Sequence, residues 1–258
     1  MNHIYNTDAL ELMKSIKDHS IPLQIHDIPY SIESFTQTIE NTKNGTGIVR
    51  DFGGWDLTNI DFVEFAKQVD RIATNDSNVI IFYNNWLYLS DLVKELHKYF
   101  DVDLLVWYKT NPKPQIRKRR FVNNHELIIY CRRGKYTLNW SNHADMYSIK
   151  MNSLALGKDR IKTINDKGIK VAVHPTQKPV KLIQYYIEKL SNPGETVLDA
   201  YAGVLTTGMA ALRSNRKFIV NDLNSNYVNH GSKWIKDEFP NERIIIHNKG
   251  EINNEIKS

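Results

Sequence analysis

The chain holds one cysteine, Cys131, in 258 residues, and its apolar runs are short. "VIIFY" at 79–83 is among the longest, far below the roughly 20 residues a membrane-spanning helix needs. A single thiol cannot build a disulfide framework, and no Cys/His spacing resembles a zinc site, so no structural metal is expected. The N-terminal stretch "MNHIYNTDALEL" has no basic head followed by an apolar segment, so it does not read as a secretory leader. Internal repeats and low-complexity tracts are also missing, apart from a polar tail, "NKGEINNEIKS". These absences point to an intracellular, cytoplasmic globular protein with no membrane partner.

What is present fits one sizeable domain, with 41% hydrophobic and 24% charged residues. The net charge of +5 is unevenly spread. Between Lys109 and Lys135 the only acid is Glu126, against a run of bases that includes Lys113, Arg117, Lys118, Arg119 and Arg120. The rest of the chain is slightly acidic. Such a segment is either a solvated loop or the footprint of phosphate contacts.

Short apolar runs alternate with helical patterns, the signature of an α/β domain on a mostly parallel sheet. Phe62, Phe65, Ala66, Val69, Ile72 and Ala73 share one helical face and lead into the strand "VIIFY". A helix is expected over 89–100, strands over 103–109 and 126–131, and a helix carrying Ile183, Tyr186, Ile187 and Leu190. Then come the strand "TVLDAY", a helix from Thr206 to Leu212, and the strand "KFIVND" ending on Asp222. Residues 136–172 have few apolar runs and read as an insertion.

Two stretches carry candidate chemistry. "HDIPY" at 26–30 places an acid, a proline and a tyrosine at the end of the run "SIPLQI". That pattern fits an ordinary tight turn, and it also fits a site, because open parallel sheets bind ligands just beyond the carboxyl ends of their strands. In "VLDAYAGVLTTGMAAL" at 197–212 a strand ends at Asp199, a turn with one glycine follows, and a helix begins. Backbone amides at that helix start face a ligand, and Asp222 closes a second strand about twenty residues later, where nucleotide folds place an acid for ribose hydroxyls.

These stretches, in their order, resemble the permuted β group of DNA amino-methyltransferases, the N6-adenine and N4-cytosine type. "DIPY" is similar to the catalytic motif DPPY, and "FGGWD" at 52–56 to its usual sequel. "WYKTNPKP" with "RRFVNNHE" is similar to a further family segment, "HPTQKP" at 174–179 to the motif before the cofactor turn, and "DAYAGVLTT" to the turn itself. The resemblance spans residues 4 to about 235. It implies a Rossmann-like S-adenosylmethionine-dependent methyltransferase fold, mostly parallel with helices on both faces. Residues 1–135 would be the catalytic half, 136–172 a small target-recognition insertion and 173–258 the cofactor-binding half.

The roles that follow are likewise implied by the resemblance. Asp27 and the carbonyl of Ile28 would accept hydrogens of the target amine, with Pro29 shaping the turn and Tyr30 stacking on the base. Thr176 and Lys178 would anchor the cofactor carboxylate. Asp199, Tyr201, Ala202 and Gly203 would line its methionine moiety, Asp222 its ribose, and Asp8 its adenine, although Asp8 reads equally well as a helix cap. Lys113 and Arg117 to Arg120 would hold DNA phosphates, and residues 31–51 would form a lid over the base. Asp27 points to adenine N6, because the cytosine N4 pattern usually begins with serine there. A bacterial or phage-encoded enzyme acting on duplex DNA is implied, with a homodimer and a cognate restriction endonuclease left open as partners. Two residues depart from the pattern. Ile28 replaces a proline, and Leu205, after Val204, replaces the second glycine of the cofactor turn. Leucine enters positive φ only at a cost, so either the turn differs or the side chain points away from the ligand. A binding protein that kept the fold without the activity therefore remains the alternative outside the enzymes.

Overall fold

The computed structural model describes residues 1–30, 60–112, 121–140, 149–151 and 157–251. At its centre lies β2 (Ile21–Asp27), which pairs in parallel with β9 (Thr196–Asp199) on one side and β3 (Ala73–Phe82) on the other. Beyond β9 come β10 (Lys217–Asn221), β1 (Asn2–Tyr5) and β11 (Ile244–Ile246), all parallel. Beyond β3 lie β5 (His125–Arg133), antiparallel to both neighbours, then β4 (Asp101–Lys109) and β6 (Ile149–Met151). The sheet order is β11-β1-β10-β9-β2-β3-β5-β4-β6. The chain leaves β2 toward one edge and β9 toward the other, so a crevice opens beyond the carboxyl ends of these two strands.

Alternation along the strands feeds two cores. On β3, Ile80 and Phe82 join one buried cluster and Val79 and Ile81 the other. The first is closed by α4 (Val180–Leu190), α5 (Thr206–Arg213) and α6 (Ser225–Glu238), through Ile183, Ile187, Met209 and Ile235. The second is closed by α1 (Ala9–Ser15), α2 (Phe62–Ile72) and α3 (Leu89–Leu96), through Leu12, Phe65, Val69 and Leu92. Helices thus cover both faces, as expected of a doubly wound sheet.

The helix read from Phe62 starts where Asp61 caps it, its carboxylate accepting from the amides of Val63 and Glu64. The helix expected over 89–100 stops at Leu96, and the chain turns before β4. "KFIVND" ends as a strand at Asn221, which leaves Asp222 just past the sheet. The expected insertion is partly built into the domain. Asn139 bonds the carbonyls of Glu188, Lys189 and Ser191 at the end of α4, and β6 extends the main sheet. Further on, β7 (Lys162–Ile164) and β8 (Lys170–Ala172) form a small hairpin of their own. Similarly, β1 lies between β10 and β11, although it belongs in sequence to the half read as catalytic.

Candidate active site

A cavity of about 900 Å³ opens in the crevice beyond β2 and β9. Its walls include Asp27, Ile28, Pro29 and Tyr30 from the end of β2, and Asp199, Tyr201, Ala202 and Gly203 from the turn after β9. Asp8, Thr176, Lys178 and Asp222 also line it, so the catalytic and cofactor candidates converge on one space.

The β9 side is held mainly by backbone. Asp199 accepts from the Tyr201 amide at 3.0 Å and from the Thr207 hydroxyl at 2.6 Å. The Gly203 and Asn224 amides donate to the two oxygens of Asp222 at 2.9 and 2.8 Å, and the Ala202 amide donates to the Asn221 carbonyl at 2.7 Å. Beneath the turn, buried His26 accepts the Ala200 amide on Nδ1, so its hydrogen sits on Nε2 and donates to Gln24. The Asn221 side chain ties Thr7 to Ala200. Burial, with Asp199 and Asp27 nearby, pushes the Asp222 carboxyl up to about 7 against the two amides that bind it.

Gly203 has φ +55, and a Cβ there would come within 3.3 Å of the His174 ring. Leu205 adopts the left-handed conformation as well, at φ 62 and ψ 34. Its side chain is fully buried and turned into the core, while Val204 and Thr206 line the cavity. Room for it comes from Gly231 on α6, where a Cβ would lie 2.7 Å from Leu205 Cγ and 2.6 Å from the Val204 carbonyl oxygen. The family's glycine turn is therefore kept with a leucine whose side chain points away from the ligand space. Asp8 caps α1 by accepting from the Glu11 amide, and it also lines the cavity.

The β2 side is held by charged side chains. Lys178 Nζ lies 2.7 Å from each oxygen of Asp27, 3.4 Å from the Tyr30 hydroxyl and 3.7 Å from Glu126. Glu126 in turn accepts from Lys109 at 2.5 Å, and the Tyr30 hydroxyl lies 3.3 Å from an oxygen of each acid. Burial raises the Asp27 carboxyl to about 6, with Lys178 opposing and Glu126 adding to the rise. Burial alone would lower the Lys178 ammonium, but Asp27 and Glu126 outweigh it and raise it. Glu126 is held low by Lys178 and Lys109 in spite of its burial. Asn85 fixes the segment by donating to the Tyr30 carbonyl at 2.8 Å. Ile28 turns its side chain into the core, which leaves its backbone to the cavity.

The sequence profile of the N6/N4 DNA methylase family matches residues 21–233. The chain belongs to this family. Among curated relatives, it is 29% identical to the Type II methyltransferase M.HinfI of Haemophilus influenzae, over 95% of this chain and 71% of that protein. To the Type II methyltransferase M2.MboI of Moraxella bovis it is 24% identical, over 84% of this chain and 81% of that one. Among solved structures, M1.HpyAVI in complex with S-adenosylmethionine superposes with a TM-score of 0.65 at 22% identity, covering 91% of this chain and all of that one. The cytosine-N4-specific PvuII DNA methyltransferase does so with a TM-score of 0.65 at 19% identity, covering 97% and 96%. These likenesses show the same fold. As a DNA methylase of this family the protein is an enzyme.

Within this family frame, Lys178 stands apart from its expected place. The motif implies that it anchors the cofactor carboxylate together with Thr176, yet its ammonium is placed on Asp27. Glu126 and Lys109 also line the cavity, and the motif segments that contain them assign them no role. The signal is present in "NNHE" within a matched segment, and in the one acid of a basic stretch. His174 is a further addition. Its Nδ1 accepts from the Thr176 amide, its ring packs on Tyr227 at 4.7 Å, and burial with Lys178 and Arg160 nearby depresses it to about 3, which keeps it neutral. Lys113 and Arg117 to Arg120, the stretch 31–51 and "FGGWD" lie outside the described residues. Among the described residues no cluster of three His, Cys, Asp or Glu could hold a metal, and no helix is long and apolar enough to cross a membrane. Cys131 is buried in the core with its thiol pushed well up by burial, and it does not line the cavity.

Proposed function

We propose that the protein transfers a methyl group from S-adenosylmethionine to the N6 amine of an adenine flipped out of duplex DNA. The observation that carries this is the position of Asp27, at the carboxyl end of β2 and in the same cavity as the cofactor turn. About a quarter of its side chain remains accessible, while the Lys178 side chain behind it is 9% exposed.

The cofactor candidates fit the donor. Gly203 carries no Cβ beside the cavity, Asp222 offers a carboxylate for ribose hydroxyls, and Asp8 stands at the rim for the adenine. Bound there, S-adenosylmethionine supplies an electrophilic methyl group on sulfur. The chain's own residues must then activate the target amine, whose lone pair is delocalised into the ring. Asp27 and the Ile28 carbonyl would accept its two hydrogens and localise the lone pair for attack on the methyl carbon. The carbon–sulfur electrons would remain on sulfur, and the surplus proton of the amine would pass to the Asp27 carboxylate and from there to solvent. Acceptors fixed in advance act on charge that grows in the transition state, so they raise the rate more than they tighten binding. Tyr30 would stack on the flipped base and offset part of the unstacking cost. No covalent enzyme intermediate is needed, in keeping with the buried thiol of Cys131.

The basic segment extends this reading. Its flanks are at the cavity, since Lys109 ends β4, Asn123 precedes β5, and both line the wall. Lys113 and Arg117 to Arg120, which lie between these flanks, are proposed as phosphate contacts. Neutralising Arg117 to Arg120 should flatten the salt dependence of DNA binding by roughly one unit of slope for each phosphate released. Residues 136–172 are proposed to read the target sequence. By analogy with the Type II relatives, a restriction-modification setting with a cognate endonuclease is proposed as well. Sequencing of unmethylated genomic DNA after exposure to the protein and cofactor tests the reading. Modified adenines within one short recurring sequence are expected. Modification confined to cytosines, or none despite DNA binding, would overturn it.

A further inference from the structure

Four charges, Lys178 buried and the other three partly buried, alternate in sign along one wall of the cavity. They run Lys109, Glu126, Lys178 and Asp27, and the Tyr30 hydroxyl lies between the two acids. Two cations and two anions sum to zero, which such a site requires, because a buried charge without its partner costs several kcal/mol. In the adenine reading Asp27 meets the base. Glu126 has no such task, yet it meets three members of the group, as many as Lys178 does. It faces Lys109, Lys178 and Tyr30 from β5, across the sheet from Asp27.

We propose that Glu126 is a positioning residue for methyl transfer, holding the Lys178 ammonium and the Tyr30 hydroxyl in register with Asp27 so that the acceptor and the stacking ring meet the base together. Lys178 contacts both oxygens of Asp27, and a carboxylate has about four acceptor directions, so directions remain for the target amine. What Lys178 contributes is a fixed carboxylate plane. What Glu126 contributes is a second anion 3.7 Å from the Lys178 ammonium, and an acceptor that orients the Tyr30 ring. The inference rests on the adenine reading of Asp27.

The electrostatics give a signature that packing alone would not. The titratable groups around Asp27 are Lys178, Tyr30, Glu126 with Lys109 behind it, Asp199, Asp222 and His174. Glu126 raises the Asp27 carboxyl and Lys178 lowers it. Transfer needs Asp27 ionised, so the rate rises with pH through its titration. Loss of the Glu126 charge removes a raising influence and moves this acid limb to lower pH. Loss of the Lys178 charge moves it to higher pH.

The experiment measures single-turnover methyl transfer against pH, together with calorimetric S-adenosylmethionine binding, for wild type, Glu126→Gln, Lys178→Met and Asp27→Ala. For Glu126→Gln we expect a rate lowered about ten- to a hundred-fold, as a misplaced reacting group would cause, with cofactor affinity unchanged and the acid limb shifted down. For Lys178→Met the limb should shift up. Partial rescue of the rate is expected in Glu126→Asp. A Glu126→Gln enzyme with wild-type rate and limb overturns the inference while leaving the adenine reading intact. Loss of cofactor binding in Glu126→Gln also overturns it, since Glu126 would then support the whole cavity. Full activity in Asp27→Ala removes the reading beneath it.

Discussion

The two walls of the cavity are built from different materials. On the β9 side, main-chain amides of Tyr201, Ala202, Gly203 and Asn224 reach Asp199, the Asn221 carbonyl and Asp222, over a neutral layer of His26, Gln24 and Asn221. On the β2 side, Asp27, Tyr30, Lys178, Glu126 and Lys109 meet through their side chains. A wall of backbone donors depends on chain path, so it tolerates changes of side chain that keep the path. A wall of side-chain charges depends on each residue. This is why the turn after β9 keeps its path with a leucine at position 205, and the end of β2 with an isoleucine at 28, whereas the charged side chains of the β2 side offer no such latitude.

The sharpest break in this contrast is expected from Asp27→Ala. Removing a preorganised acceptor should lower transfer by about a hundred- to a thousand-fold, or about 3–4 kcal/mol, with cofactor affinity intact because the β9 wall lies on other strands. Parallel rate and calorimetric measurements check it. Asp222→Ala should act the other way. Losing hydrogen bonds to a charged group should weaken S-adenosylmethionine binding by about 1.5–3 kcal/mol while the rate at saturating cofactor stays near wild type.

A pH series sharpens that second test. With its carboxyl raised to about 7, Asp222 is ionised above that pH and protonated below it. Cofactor affinity should therefore be full at higher pH and decline as pH falls through 7, and Asp222→Asn should flatten the profile. A flat wild-type profile would remove Asp222 from ribose recognition. The smallest effect is expected at the departure from the family pattern. Leu205→Gly relieves about 1–2 kcal/mol of left-handed strain. It also forfeits buried packing worth about 2–5 kcal/mol in large-to-small core changes. The net is a protein less stable by up to about 4 kcal/mol, read as a lower urea midpoint, with cofactor affinity little changed.

Most of the framework was legible because it rests on local signals. The apolar face from Phe62 specifies its helix by period, and the runs at 79–83 and 196–199 read as strands by their shortness and β-branched content. Asp27 and Asp222 were legible because strand ends in open sheets are where ligands bind. The charge quartet was not, because Lys109, Glu126 and Lys178 meet only once β4, β5 and the start of α4 are brought together, and residues 17 and 52 positions apart carry no local mark of that meeting. Gly231 was hidden for the same reason. Its value lies in the space it leaves for Leu205 on another element. The family pattern suggests Lys178 as a cofactor anchor, and a one-dimensional motif does not show that its ammonium also meets Asp27 from another element.

Asp27 is proposed to make this cavity an adenine pocket. Mass spectrometry of nucleosides from DNA methylated by the wild-type protein tests it most directly. The account predicts N6-methyladenine as the sole methylated product. N4-methylcytosine in its place would contradict it.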